Sequence, residues 1–166
     1  MLPTIAILGA GPAGSAAAFH LARAGFPVTI LEARPFPRVK VCGEFISPAA
    51  THLLEAILPP SNLRAAGARL VDRFILQLDG REQTLRMPSP AWALSRRTLD
   101  ELLLARAAEA GARVVQPAPV ARAEHHADGV ILHLADGSTH AADVALHADG
   151  HGRHAPASAT PSAASL

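Results

Sequence analysis

Residues Thr4–Gly25, "TIAILGAGPAGSAAAFHLARAG", decide how this chain begins. A short apolar run ends in glycines, and "PAGSAAAFHLARAG" then reads as a helix closed by Gly25. Gly9, Gly11 and Gly14 have G-x-G-x-x-G spacing, a common pattern that gains meaning when it joins a strand to a helix. There the first glycine permits the tight turn, the second lets backbone approach a pyrophosphate, and the third lets helix pack on strand. Pro12 and Ala13 fill the first helical turn, where free N–H groups and the helix dipole favour phosphate.

Working outward, "FPVTILEA" is the next strand, and it ends in Glu32, 21 residues after Gly11. A carboxylate there accepts hydrogen bonds from an adenosine ribose and repels a 2'-phosphate, which argues against NADP in this site. Ala33 and Arg34 follow it. Arg34 either reaches the adenosine phosphates or stays a solvated loop arginine. Up to this point NAD and FAD fit equally, because they share the fold.

Ser47 and Pro48 supply an N-cap and a first-turn proline for a helix ending before Pro59-Pro60. "ARLVDRFILQLDGREQTLRM" reads as two strands joined at Asp79-Gly80. "TLDE" at Thr98 offers a capping box, and Leu99, Leu102, Leu103, Ala107 and Ala110 recur at helical spacing up to Gly111. "ARVV", "PVARAEHH", "GVILHL" and "ADVALHA" read as strands, with turns at Asp128-Gly129 and Asp136-Gly137. The expected fold class is α/β: a Rossmann-like FAD/NAD(P)-binding fold with a parallel sheet and an inserted antiparallel β-meander. Residues 155–166, Ala/Ser/Pro-rich, bury too little apolar surface to offset their ordering entropy, so a disordered tail is expected.

Composition narrows the function. The 166 residues suit one domain, and 15 basic against 14 acidic side chains form no basic block, so no nucleic-acid partner is expected. A lone cysteine and no leader-like N-terminus fit a reducing, cytoplasmic setting, and no apolar run approaches the ~20 residues of a transmembrane segment.

"ARPFPRVKVCGEFISPAATHLL", "LSRRTLDELLLARAAEAGARV" and "VALHADGHG" together resemble the flavin-dependent monooxygenase and geranylgeranyl reductase-like families, which share a glutathione-reductase-type FAD-binding fold. The resemblance runs from about Pro3 to about Arg153. "K-x-C-G-E" before a proline-capped helix is characteristic of the reductase-like branch. The resemblance implies FAD as cofactor, with Val41, Cys42, Gly43 and Glu44 beside the flavin ring or ribityl chain. It also implies that Arg96 of the R-x-x-L-D pattern (Arg96, Leu99, Asp100) contacts the cofactor, as paired guanidinium donors suit pyrophosphate. Asp149 and Gly150, in "ADG" after an apolar strand, fall where the family contacts FAD. On this reading residues 1–154 are an incomplete FAD-binding domain, with substrate-domain strands beginning at about 68–90.

Cys42 invites a nucleophile reading beside Arg38 and Lys40, but the loop offers no general base and the chain no resolving cysteine, so a packing role is expected. His126, His133, His140, His147 and His154 recur every seven residues; odd spacing in strands alternates faces, so no metal site is expected. Trp92 either lines a ligand pocket or anchors a loop by burial.

The expected function is the FAD-binding portion of a flavin-dependent oxidoreductase, using NAD(P)H as electron donor for hydroxylation or alkene reduction of an apolar or aromatic small molecule. No catalytic acid or base is identifiable. The chain is short for such an enzyme, which points to truncation and to a separately encoded C-terminal half as partner. A self-sufficient NAD-dependent dehydrogenase of the short-chain type needs a Tyr-x-x-x-Lys pair, and the sequence has no tyrosine. A non-catalytic nucleotide-binding remnant is the other alternative.

Overall fold

The computed structural model describes residues 1–150. The Arg153, His154 and 155–166 tail expectations lie outside the described residues.

The core is a four-stranded parallel sheet built from β1 (Ile5–Leu8), β2 (Val28–Leu31), β6 (Arg113–Val115) and β10 (Val144–His147), in the order β10-β1-β2-β6. β1 is buried along its whole length, as a central parallel strand covered on both faces must be. Ile5, Ile7, Val28 and Ile30 face one layer, where they pack with helix α1 (Pro12–Arg23) and helix α4 (Arg96–Glu109). Ala6, Leu8 and Leu31 face the other, a three-stranded meander of β7 (Val120–His126), β8 (Gly129–Leu134) and β9 (Thr139–Ala142) that contributes Val130, Leu132 and Ala142.

α1 ends where the sequence indicates. Gly25 takes φ +88°, its amide donates to the Ala22 carbonyl and that of Phe26 to Leu21, so the last carbonyls are satisfied by a left-handed glycine. α4 begins three residues earlier than the Thr98 capping box implies. Ser95 is the N-cap, its Oγ accepting from the Thr98 amide at 3.1 Å, because the strand before it delivers Ser95 straight into the first turn. In the helix from Pro48, α2 (Pro48–Glu55), Ser47 caps as expected, and a further short helix, α3 (Pro60–Ala65), follows.

Between β2 and α4 sits the antiparallel insert. β4 (Arg69–Leu78) and β5 (Arg81–Ala93) form a hairpin through Asp79 and Gly80, both at positive φ, and short β3 (Phe45–Ile46) pairs with the far end of β5. The sheet order is thus β3-β5-β4. β5 runs past Met87 through Pro88 and Pro90, which lack ladder donors and fall in the register shift opposite Val71–Arg73. Leu70, Phe74, Leu76 and Leu78 alternate along β4 and stay exposed. The true meander is the β7–β9 layer, and its third strand, "THAA", was not expected from sequence.

Candidate functional site

The chain leaves β1 for β2 on one side, while β10 lies on the other, so the carboxyl ends of β1 and β10 flank a topological switch point. Gly9 stands there at φ +103°. A Cβ on it would meet the Ala148 carbonyl oxygen at 2.7 Å and Asp149 Cα at 2.9 Å. The Ala148 amide donates to the Leu8 carbonyl, seating Ala148–Gly150 directly on the glycine turn. Gly14 is needed for packing, since a Cβ there would lie 1.9 Å from the Gly9 oxygen.

Gly11 is different. Its φ −70° and ψ −178° suit any residue ahead of a proline, and a Cβ would meet nothing within 4 Å. The protein's own packing therefore does not require glycine there; a group approaching the turn from outside would. Beside it, α1 has no side-chain N-cap and no acidic residue in its first turn, so the Ala13 and Gly14 amides are left to donate outward. Ser15 braces the turn from behind, its Oγ donating to the Ala10 carbonyl at 3.1 Å.

Glu32, only 5% exposed, faces this turn from the end of β2. Its Oε2 accepts from the Ala10 amide at 2.7 Å and from Arg38 Nη2 at 3.2 Å, and its Oε1 from the Arg34 amide at 3.1 Å. A carboxylate offers about four acceptor positions, so its own chain takes all but about one. Glu32 thus fastens the glycine turn to β2, and Ala33 and Arg34 lie exposed beside it. Sequence reasoning missed Arg38, whose guanidinium also lies 4.9 Å from the Phe36 ring centre. The available signal was an arginine six residues after the carboxylate, following an aromatic residue.

The "VCGE" loop lies against the start of α4. Glu44, at φ +56°, turns the chain so that its carbonyl accepts from the Leu94 amide and β3 pairs with β5, just ahead of Arg96. Val41, Cys42 and Gly43 are exposed, and the Glu44 amide donates to Cys42 Sγ at 3.4 Å. Arg96 Nε and Nη2 donate to the two oxygens of Asp100 at 2.8 and 3.0 Å, and Asp100 is 1% exposed. Hydrogen bonding to Asp100 holds the Arg96 pKa above its ordinary value, and Cys42 beside it acts in the same direction. The fold therefore brings the Cys42 loop and Arg96 together, and separately gathers Gly9, Gly11, Glu32 and Asp149–Gly150 around the turn.

His126 and His133 share a face, because the β7–β8 hairpin turns back between them, whereas His140, opposite Leu132, falls on the other face as expected. His126 on β7 and His133 on β8 both reach Glu124, at 3.5 and 3.1 Å. Arg122 chiefly, and then His133, hold the Glu124 carboxyl below its usual pKa. Among the described residues no three His, Cys, Asp or Glu side chains group as metal ligands. Trp92 is buried, its indole N–H donating to Glu55 at 3.1 Å, and it also lines a cavity beside Arg64, Ala68 and Leu70.

His140 on β9 titrates below its ordinary 6.5, through burial first and the Arg113 charge second. Folding favours its neutral form, so that contribution is complete above about pH 6.5 and is lost as pH falls through the lower folded value. His140→Gln is expected to flatten the decline in melting temperature between about pH 7 and 5. Parallel wild-type and variant curves would refute it.

Residues 7–41 match the NAD(P)-binding Rossmann-like domain family. Over 157 residues, 88% of this chain, the sequence is 32% identical to the menaquinone reductase of Mycolicibacterium smegmatis, of which it covers 37%. It is 39% identical over 111 residues, 66% of this chain, to digeranylgeranylglycerophospholipid reductase 2 of Methanopyrus kandleri, of which it covers 27%. The crystal structure of halogenase PltM in complex with phloroglucinol and FAD superposes with a TM-score of 0.71 at 21% identity, over 88% of this chain and 34% of that one. The chain thus spans about a third of the length of the relatives it matches. It is a relative of these reductases and has the Rossmann-like fold of FAD-binding flavoproteins, corresponding to their N-terminal, FAD-binding portion.

Proposed function

We propose that this chain is the FAD-binding portion of a flavin-dependent oxidoreductase that takes electrons from NAD(P)H and acts on an apolar or aromatic small molecule. The observation that carries the reading is Gly11, a glycine whose missing Cβ leaves space at a switch point, before an uncapped helix N-terminus. The residues fit the group. Gly9, Gly11, Pro12, Ala13 and Gly14 form the pyrophosphate cradle, with the Ala13 and Gly14 amides as donors. Glu32, with Ala33 and Arg34, takes the adenosine side. Arg96, braced by Asp100, would offer its remaining guanidinium donors to the cofactor, and Val41, Cys42 and Gly43 would lie on the flavin side. Asp149 and Gly150 close the cradle from β10. Bound FAD supplies two-electron redox chemistry; these side chains bind and orient it.

The two relatives are named for the reduction of menaquinone and of a digeranylgeranylglycerophospholipid, which supports an apolar substrate. Residues 1–154 form the cofactor portion, and 68–90 begin a substrate domain. The exposed leucines of β4 suit burial beneath the rest of that domain. Among the described residues no helix is long and apolar enough to cross a membrane. The single cysteine fits a cytoplasmic setting.

Gly11→Val tests the cradle. The variant is expected to melt within a few degrees of wild type, because a Cβ at this position meets nothing within 4 Å. Its FAD affinity, read by flavin fluorescence quenching, should fall by roughly 100-fold or more, about 2.7 kcal/mol. Unchanged affinity in the folded variant would overturn the proposed cradle.

A further inference from the structure

Arg38 is held but poorly satisfied. Its side chain is 11% exposed and wedged between Phe36 and Glu32, yet only Nη2 reaches the carboxylate, at 3.2 Å, with Ala10 already on the same oxygen. An arginine that meets a carboxylate well does so with two parallel prongs, as Arg96 does on Asp100. Arg38 Nε is sealed from solvent with no hydrogen-bond partner, the only buried side-chain nitrogen or oxygen in that condition among the described residues. A buried donor without an acceptor carries an uncompensated desolvation cost, and a structure retains it where another state relieves it. The complementary vacancy is on Glu32, whose chain partners leave about one acceptor position open. A group that both accepts from a guanidinium and donates to a carboxylate completes both, and a hydroxyl does so.

We infer that Arg38 is a ribose-binding residue: when an adenine nucleotide enters, its guanidinium turns off the single-pronged contact with Glu32 and donates to a sugar hydroxyl that itself donates to Glu32. The turn is required because Nε is enclosed in the ligand-free protein. This gives Glu32 and Arg38 opposite duties toward one hydroxyl. The positive charge beside Glu32 also offsets the repulsion that the carboxylate alone would exert on a 2'-phosphate. The inference rests on the cradle reading above, since the nucleotide must lie at the glycine turn.

The test uses the full chain, ADP and 2',3'-dideoxy-ADP, which lacks both sugar hydroxyls, in isothermal titration calorimetry of wild type and Arg38→Lys. Lysine keeps the charge beside Glu32 but has no guanidinium fork. Wild type is expected to bind ADP roughly tenfold more tightly than the dideoxy analogue, and Arg38→Lys to narrow that preference severalfold by weakening ADP alone, the hydroxyl bond to Glu32 remaining. If the variant weakens both ligands equally, or neither, Arg38 is structural and the inference is overturned. Wild type that binds neither ADP nor FAD would overturn the cradle reading itself, and this inference with it. Equal melting temperatures for the two ligand-free proteins establish that the comparison reports binding.

Discussion

Gly14→Ala is expected to abolish cooperative folding. The new methyl carbon would lie 1.9 Å from the Gly9 carbonyl oxygen and 3.2 Å from Ala148 Cβ, and the first of these is backbone that no side-chain rotation can move. Relief requires α1 to lift from β1, which opens the layer in which Ala18 and Phe19 of α1 pack with Ile5 and Ile7. Domains of this size are stable by only ~5–15 kcal/mol, and a clash that separates two core elements takes most of that. Circular dichroism should show a broad, non-sigmoidal melt. A sharp transition near the wild-type temperature would mean that the helix slides at little cost, and that Gly14 serves only the ligand. The contrast with Gly11→Val is the informative part: two glycines of one motif, three residues apart, with opposite consequences for stability and binding.

Arg96→Met is expected to have the next largest effect, a loss of about 3–5 kcal/mol in urea unfolding, because it strands the Asp100 charge at 1% exposure. Adding Asp100→Leu should recover most of that loss, since apolar residues of similar volume often replace a buried ion pair without penalty. If Arg96 also grips the cofactor, the double variant regains stability and not FAD affinity. Recovery of both would assign Arg96 a structural role alone, and persistent instability would show that the pair fixes the start of α4 rather than merely neutralising itself.

The glycine turn, the Ser47 cap and the Asp79-Gly80 hairpin were legible in the sequence because each depends on neighbours within a few residues, and Glu32 because its spacing after the turn sets it at the end of the next strand. Arg38 was not: its significance comes from the three contacts crowding Glu32, which local spacing does not encode. The Arg96–Asp100 pair has i,i+4 spacing, yet nothing in that spacing says that the aspartate is buried. "THAA" lacks the alternating apolar residues that mark a strand, and it is ordered by pairing with β8. In the histidine repeat the expected alternation of faces holds between His133 and His140 and fails between His126 and His133, which the β7–β8 hairpin brings to one face.

β10 closes the parallel sheet beside β1, and Thr4 and Asp143 join the two through reciprocal bonds, Thr4 Oγ1 donating to the carboxylate at 2.6 Å and the Asp143 amide donating back at 3.0 Å. The strand that opens the glycine turn pairs early with β2, but meets its second neighbour only after well over a hundred intervening residues have been made. On the ribosome, β1 must wait through the synthesis of the insert and the meander before Ala148 can seat on Gly9. Completion of the glycine turn is consequently a late event in the life of the nascent chain, and such a non-local closure is slow to form compared with the helix and hairpins around it.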